Sequence, residues 1–413
     1  MKFQLFTLPT IPATLEERAA KRPIGRDNDA FQAMIAEVRE LAIMADEVGF
    51  DVFSTTEHHF HSEGFEASVQ PMMLYADLAA RTKNISFAPL SLVLPANDPL
   101  RVAEQVAYLD HLTGGRVYGG YARGYQDRWV NVLGQHIPVK GTPMDGGEDD
   151  KHNRAVHEEY LELIYKAWTD DLLTFEGQFY QVPPKGGITR WPAADWTRRY
   201  GHPDELDENG HIRGISVIPK PLQQPYPKAF QPFSVSESTM VHTAKNGVMP
   251  IILTAEPGQF THLAELYRDS AAEAGRDLKL GESIGAFRAV AFGENRQQAL
   301  ELMERTNYYG FQIYFSGFGF WEALRLPGDE QQWPKGTLLP PEEWTMDRFT
   351  KTKYGLAGTV DDIKRDIEDL ATIHGNGGEL EWFSWFFDQG LMPIDEAKRQ
   401  LEIFAEHIIP EFR

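Results

Sequence analysis

The feature that most limits this chain is a repeated switch between two apolar periods, one near two residues and one near 3.6. Strand character appears at Lys2–Leu8, Asp51–Thr56, Ile85–Leu94, Arg116–Ala122, Ala229–Val235, Met249–Thr254, Ile284–Phe292 and Leu380–Phe387. Helical spacing lies between these runs, over 30–48, beyond Asp98-Pro99, and over 154–168, 237–246, 259–274, 294–309 and 360–373. Gly49 follows the first helix where a left-handed residue would end it. Asp98 with Pro99, and Thr359 with Asp362, have the pattern of helix starts. Such alternation implies right-handed parallel βαβ units. Eight strands favour closure, because an open sheet needs no particular number. The expected fold class is therefore α/β, a TIM-type (β/α)8 barrel forming a single domain over residues 1–413.

Two stretches, 176–228 and 317–350, fit no unit and are rich in Pro, Gly, Trp and charge. They are too long for ordinary connections and are expected to be insertions at the C-terminal face of the barrel, where lids form.

Composition removes several classes of function. The 413 residues carry 40 Lys and Arg against 61 Asp and Glu, a formal charge of −21 that disfavours nucleic acid. There are no cysteines, which rules out disulfides, thiolate nucleophiles and cysteine-held zinc or iron–sulfur clusters. No long uncharged apolar run suggests a membrane span, and Met1–Pro12 does not read as a signal peptide. The expected location is the cytoplasm, without a membrane partner.

In a TIM barrel the active site lies at the C-terminal ends of the strands. That rule selects Glu57, His58 and His59 after strand two, and Leu90, Ser91 and Leu92 at the end of strand three. It also selects Arg123, Gly124 and Tyr125 after strand four, and Ser234, Ser236, Ser238 and Thr239 after strand five. A helix N-terminus beside hydroxyls suits a phosphate, with Arg123 as opposing charge. Ser236 as a plain helix cap is the competing reading. The histidines admit three readings: satisfied structural groups, metal ligands with Glu57 and His61, or polar groups beside a redox cofactor. Neighbouring strand residues point to opposite faces, which counts against one shared metal, and no metal is assigned. The Gly-rich run Tyr118–Gly124 lacks the context of a nucleotide loop.

These residues resemble a known family. Thr56-Glu57-His58-His59-Phe60 is similar to the acidic-His-His signature of the bacterial-luciferase-like flavin-dependent monooxygenases. Val93-Leu94-Pro95, Asp98–Gln105, Leu109-Asp110, Thr113–Arg116, Arg123-Gly124, Ser236–Thr239, Gly358-Thr359 and the stretch from Phe404 to Pro410 resemble the family in the same order. The resemblance implies reduced FMN, supplied by a separate flavin reductase, which reacts with O2 to a flavin C4a-hydroperoxide that oxygenates a small hydrophobic organic substrate. It implies catalytic roles for His58 and His59, and cofactor contacts from Glu57, Leu90, Ser91, Arg123, Ser236, Ser238 and Thr239. Leu90-Ser91 falls where the family often has a non-proline cis peptide. A homodimer is expected on the same ground. Phe60, Phe65, Trp191, Trp382 and Trp385 are candidates for lid or pocket walls. Two departures from bacterial luciferase itself are Ala122, in place of a reactive cysteine, and Val235, in place of an acidic residue. The rival readings are a deazaflavin-dependent dehydrogenase on the same barrel, a metal-dependent hydrolase and a non-catalytic flavin-binding protein.

Overall fold

The computed structural model describes residues 1–142, 147–186, 190–334 and 337–413, so 187–189 of the first insertion and 335–336 of the second lie outside it. Its main elements in chain order are β1 (Lys2–Thr7), α1 (Asn28–Val48), β2 (Val52–Thr55), α2 (Pro71–Ala79), β3 (Ser86–Pro89), β4 (Leu92–Val93), α3 (Pro99–Thr113), β5 (Gly119–Ala122), α4 (Glu148–Thr169), β6 (Ala229–Ser234), α5 (Glu237–Asn246), β7 (Met249–Ile252), α6 (Pro257–Glu273), β8 (Gly285–Phe292), α7 (Arg296–Met303), β9 (Gly355–Gly358), α8 (Val360–Ala371), β10 (Trp382–Phe387) and α9 (Ile394–His407). They divide into two compact units, Met1–Ser91 with Lys228–Arg413, and Leu92–Pro227.

In the first unit the strands run parallel in the order β3-β2-β1-β10-β8-β7-β6, with β9 paired to the far half of β8. The alternation of side chains separates two apolar layers. On one face Phe6, Phe233, Phe287 and Phe386 meet ring to ring, with centroids 4.8 to 5.7 Å apart. On the other, Phe3 and Trp385 pack on Phe404 of α9 at 5.5 and 4.7 Å. Each such ring taken from water contributes about 1.5–3 kcal/mol, so these two layers hold the sheet against its helices. Trp385 therefore lies between sheet and helix and is not a pocket wall. Trp382 packs on Phe230 at 5.1 Å, at the strand end opposite the histidines.

The expected caps form. Gly49 takes φ 97°, Asp98 accepts the Arg101 N–H, and Thr359 with Asp362 closes a reciprocal capping box. Several boundaries differ from expectation. Strand three is broken between Pro89 and Leu92, where the Leu90–Ser91 peptide is cis. Strand four begins at Gly119 because Arg116 is used at the helix end, its N–H donating to Thr113 Oγ1 and its Nε–H to the Thr113 carbonyl. The helix expected over 294–309 ends at Met303 and passes into a π turn over Glu304–Tyr308. β9 was not expected at all. Its sequence, Gly-Leu-Ala-Gly, has little strand propensity and is held by pairing with β8.

The second insertion is built around a buried arginine. Arg348 pairs with Asp329 and Glu343, while Arg325 binds Glu322 and the carbonyls of Trp333 and Thr337. Its first residues reach the C-terminal strand ends: Phe320 packs on Phe233 at 5.8 Å, and the Ala255 N–H donates to the Ala323 carbonyl.

In the second unit β4 and β5 pair in parallel, and Trp168 of α4 donates to the Ala103 carbonyl of α3. The first insertion is anchored there by Lys220, which binds the Ala167 and Asp170 carbonyls, and by Gln223, which binds Asp110. Trp191 donates to Thr197 and is 42% exposed. No helix among the described residues is long and apolar enough to cross a membrane.

Candidate active site

The chain leaving β2 turns at once into a polar cluster. Backbone bonds fix it on both sides: the Glu57 N–H donates to the Ser91 carbonyl at 3.1 Å, and the His58 N–H to the Ser68 carbonyl at 3.1 Å. The Leu90 N–H donates to the Thr55 carbonyl at 2.7 Å. Glu57, His58, His59, Leu90 and Ser91 are thereby brought together at the C-terminal ends of β2 and β3.

His58 is buried, and its Nδ1 lies 3.1 Å from both Thr56 Oγ1 and Glu66 Oε2. An acceptor at Nδ1 fixes the tautomer that carries its proton there, so Nε2 holds the lone pair. Burial first, then the neighbouring His61 and His59, hold His58 well below the ordinary imidazole range, so the ring is neutral near pH 7. His59 Nε2 lies 3.0 Å from Glu57 Oε1. His61 stacks on His58, with centroids 5.6 Å apart and planes 12° from parallel, and Tyr314 Oη lies 3.2 Å from His61 Nδ1. Phe65 packs on Tyr314 at 5.1 Å, whereas Phe60 is half exposed. Among the described residues no group of three or more His, Asp or Glu is arranged to hold a metal ion.

At the end of β6, Ser236 caps α5 by accepting the Thr239 N–H. Its Oγ also lies 2.9 Å from Thr239 Oγ1 and 3.1 Å from Ser238 Oγ. Capping and clustering coexist: three hydroxyls sit on the positive end of one helix. That donor set fits a phosphate group. Glu237, in the same first turn, bonds His262 at 3.1 Å.

Arg123 follows β5 in the second unit. Gly124 beside it takes φ 78°, and a Cβ there would come within 2.6 Å of Val93, so only glycine lets the chain turn at this point. The Arg123 guanidinium donates to Asp150, which also accepts the Thr142 hydroxyl at 2.6 Å. Arg123 was expected as the charge opposing a phosphate; in the structure it is paired with a carboxylate.

Four further groups escaped sequence reasoning: Glu66, Ser68, Tyr314 and Asp388. Glu66 and Ser68 lie in an irregular loop, and Tyr314 joins only through the fold. Asp388, just after β10, is buried and accepts the Met392 N–H at 2.7 Å. Burial pushes its carboxyl up to about 7, against the lowering effect of that N–H and of Arg305 and Arg18.

Comparison with known proteins shows the family and the fold. The model of the luciferase-like monooxygenase family matches residues 1–376, and the chain belongs to that family. The oxygenase component of the flavin-dependent trigonelline monooxygenase of Acinetobacter baylyi is 32% identical over 397 residues, 94% of this chain and 92% of that one. The oxygenating constituent of 3,6-diketocamphane monooxygenase from Pseudomonas putida, solved with FMN, superposes with a TM-score of 0.71 at 19% identity, covering 100% of this chain and 99% of that one. The coenzyme F420 dependent tetrahydromethanopterin reductase of Methanopyrus kandleri shares the fold at a TM-score of 0.62 and 15% identity, covering 100% and 99%. The fold is thus the TIM-type barrel expected from the alternation, and the chain's relatives include flavin-dependent monooxygenases.

Proposed function

We propose that this chain is the oxygenase component of a two-component monooxygenase. It takes reduced FMN from a separate flavin reductase and, with O2, oxygenates a small hydrophobic organic substrate by way of a flavin C4a-hydroperoxide. The observation that carries the reading is His58: a buried, neutral imidazole oriented by Thr56 and Glu66, beside Leu90-Ser91 at the strand ends.

When bound, reduced flavin supplies two electrons to O2. The chain's own residues do the rest. Ser236, Ser238 and Thr239 would hold the phosphate through hydroxyls and helix N–H groups. Leu90 and Ser91 would bear on the ring, and Glu57 would orient His59, 3.0 Å away, at its edge. His58 Nε2 would accept or return a proton at the reacting atoms. Phe65, Tyr314 and Phe320 would exclude water, which a reactive oxygen species requires. Arg123 is proposed as a further cofactor-binding residue, its charge shared with Asp150. A homodimer and a cytoplasmic location belong to the same proposal.

A deazaflavin-dependent dehydrogenase is the second reading, favoured by the F420-dependent structure that shares the fold. Anaerobic titration separates the two. Tight binding of reduced FMN, with NADH-driven O2 uptake once a reductase is added, supports the oxygenase. Preference for reduced deazaflavin overturns it.

A further inference from the structure

Glu66 connects groups that the proposed chemistry uses with one that it does not. Its carboxylate has no exposed surface, a position that costs several kcal/mol unless the charge is matched by partners. Its backbone takes φ 51°, left-handed for a residue with a side chain, at a cost of about 1–3 kcal/mol. Hydrogen bonds at the two residues that follow it hold that conformation: the Ala67 N–H donates to the Pro9 carbonyl at 2.6 Å, and the Ser68 carbonyl accepts the His58 N–H. The loop thus accepts strain in order to place one carboxylate between two imidazoles.

The distances follow a line. Glu66 Oε2 is 3.1 Å from His58 Nδ1 and 3.8 Å from His61 Nδ1. The second gap exceeds a hydrogen bond, yet one small rotation or one bridging water closes it. Beyond His61 stands Tyr314 Oη, at 3.2 Å from Nδ1 and 3.4 Å from Nε2. Of the four, only Tyr314 has more than marginal exposure, and it lies just before the second insertion. The line therefore runs from a buried imidazole to a partly exposed phenol.

We infer that Tyr314, His61 and Glu66 form a proton relay between His58 and solvent, with Glu66 also positioning the His58 ring. This rests on the oxygenase reading. A reduced-flavin monoanion, O2, the substrate and one proton balance to oxidised flavin, oxygenated substrate and water. One proton must therefore enter for each turnover. When His58 Nε2 takes a proton from the reacting atoms, the Nδ1 proton passes to Glu66 and outward through His61 and Tyr314; when Nε2 returns its proton, Nδ1 is refilled by the reverse route, and the ring stays neutral at each end of the transfer. Neither Glu66 nor Tyr314 is required to touch substrate or cofactor, so both are positioning and transfer residues.

The test uses the full chain with reduced FMN mixed into oxygenated buffer, in H2O and in D2O, followed by flavin absorbance. The relay predicts that Tyr314→Phe, which removes one oxygen, slows the protein-bound reoxidation phase about 10-fold or more, less than the roughly 100-fold loss of a group that acts directly on the reacting atoms. Glu66→Gln should do the same, and Glu66→Asp should restore most of the rate. The solvent isotope effect of the wild type should change in Tyr314→Phe and Glu66→Gln, while FMN affinity and thermal midpoint of Tyr314→Phe stay as in the wild type. If Glu66→Gln does not fold, Tyr314→Phe decides alone. A wild-type bound phase that Tyr314→Phe leaves unchanged in rate and isotope effect overturns the relay and spares the oxygenase reading. A wild type that shows no bound phase overturns the oxygenase reading, and the relay with it.

Discussion

Glu66 Oε2 lies 3.1 Å from Nδ1 of His58, and neither residue has appreciable exposure. The contact settles which nitrogen of His58 carries the proton and which carries the lone pair. Burial keeps that ring neutral where an ordinary histidine would be partly charged. A neutral, oriented base at a strand end is the chemical centre of the account.

The hydroxyl cluster can be tested apart from the helix cap. Ser238 does not cap α5; Ser236 does. Ser238→Ala is expected to weaken FMN binding about 10- to 100-fold, the loss of one hydrogen bond to a charged group, with little change in thermal midpoint. Riboflavin, which lacks the phosphate, should bind both forms alike. Fluorescence titration of the two ligands reads both effects.

Stability of the second insertion rests on Arg348, whose side chain is 5% exposed between Asp329 and Glu343. Arg348→Met strands a carboxylate beneath the surface and should cost about 3–5 kcal/mol. Differential scanning fluorimetry should show a clear fall in the thermal midpoint. No change would mean that the pair is replaceable by solvent.

Asp388 gives the stability a definite pH dependence. Its carboxyl titrates at about 7 when folded, against 3.8 for the ordinary group. Between these values the folded chain keeps a proton that the unfolded chain has lost, so stability falls as pH rises from about 4 to 7. The full difference of roughly three pK units corresponds to on the order of 4 kcal/mol, reached above the folded value. Asp388→Asn should remove this component and raise the midpoint near pH 8 relative to wild type. A parallel pH profile for the two proteins would contradict the assignment.

Much of the fold was legible because β strands and amphipathic helices write their periods locally. Phe3, Leu5 and Thr7 alternate with Gln4 and Phe6, and the caps at Asp98 and Thr359 lie beside the groups they bind. The Glu57-His58-His59 and Leu90-Ser91 segments were legible as strand ends in a motif. What closed the site was not. Tyr314 meets His61 across 253 positions of sequence, and nothing at either position announces the other. Asp150 neutralises Arg123 from α4, and a sequence shows a positive charge without its partner. β9 exists only because β8 offers it an edge.

The most direct measurement is rapid-mixing absorbance of reduced FMN with O2 in the presence of the chain. The wild type should change the course of flavin reoxidation from that in buffer, through a distinct absorbing phase. His58→Ala should lower the rate or yield of that phase by about 100-fold or more, the scale of a lost general base. Reoxidation at the free-solution rate with wild-type protein, or an unaltered phase in His58→Ala, would contradict the central claim.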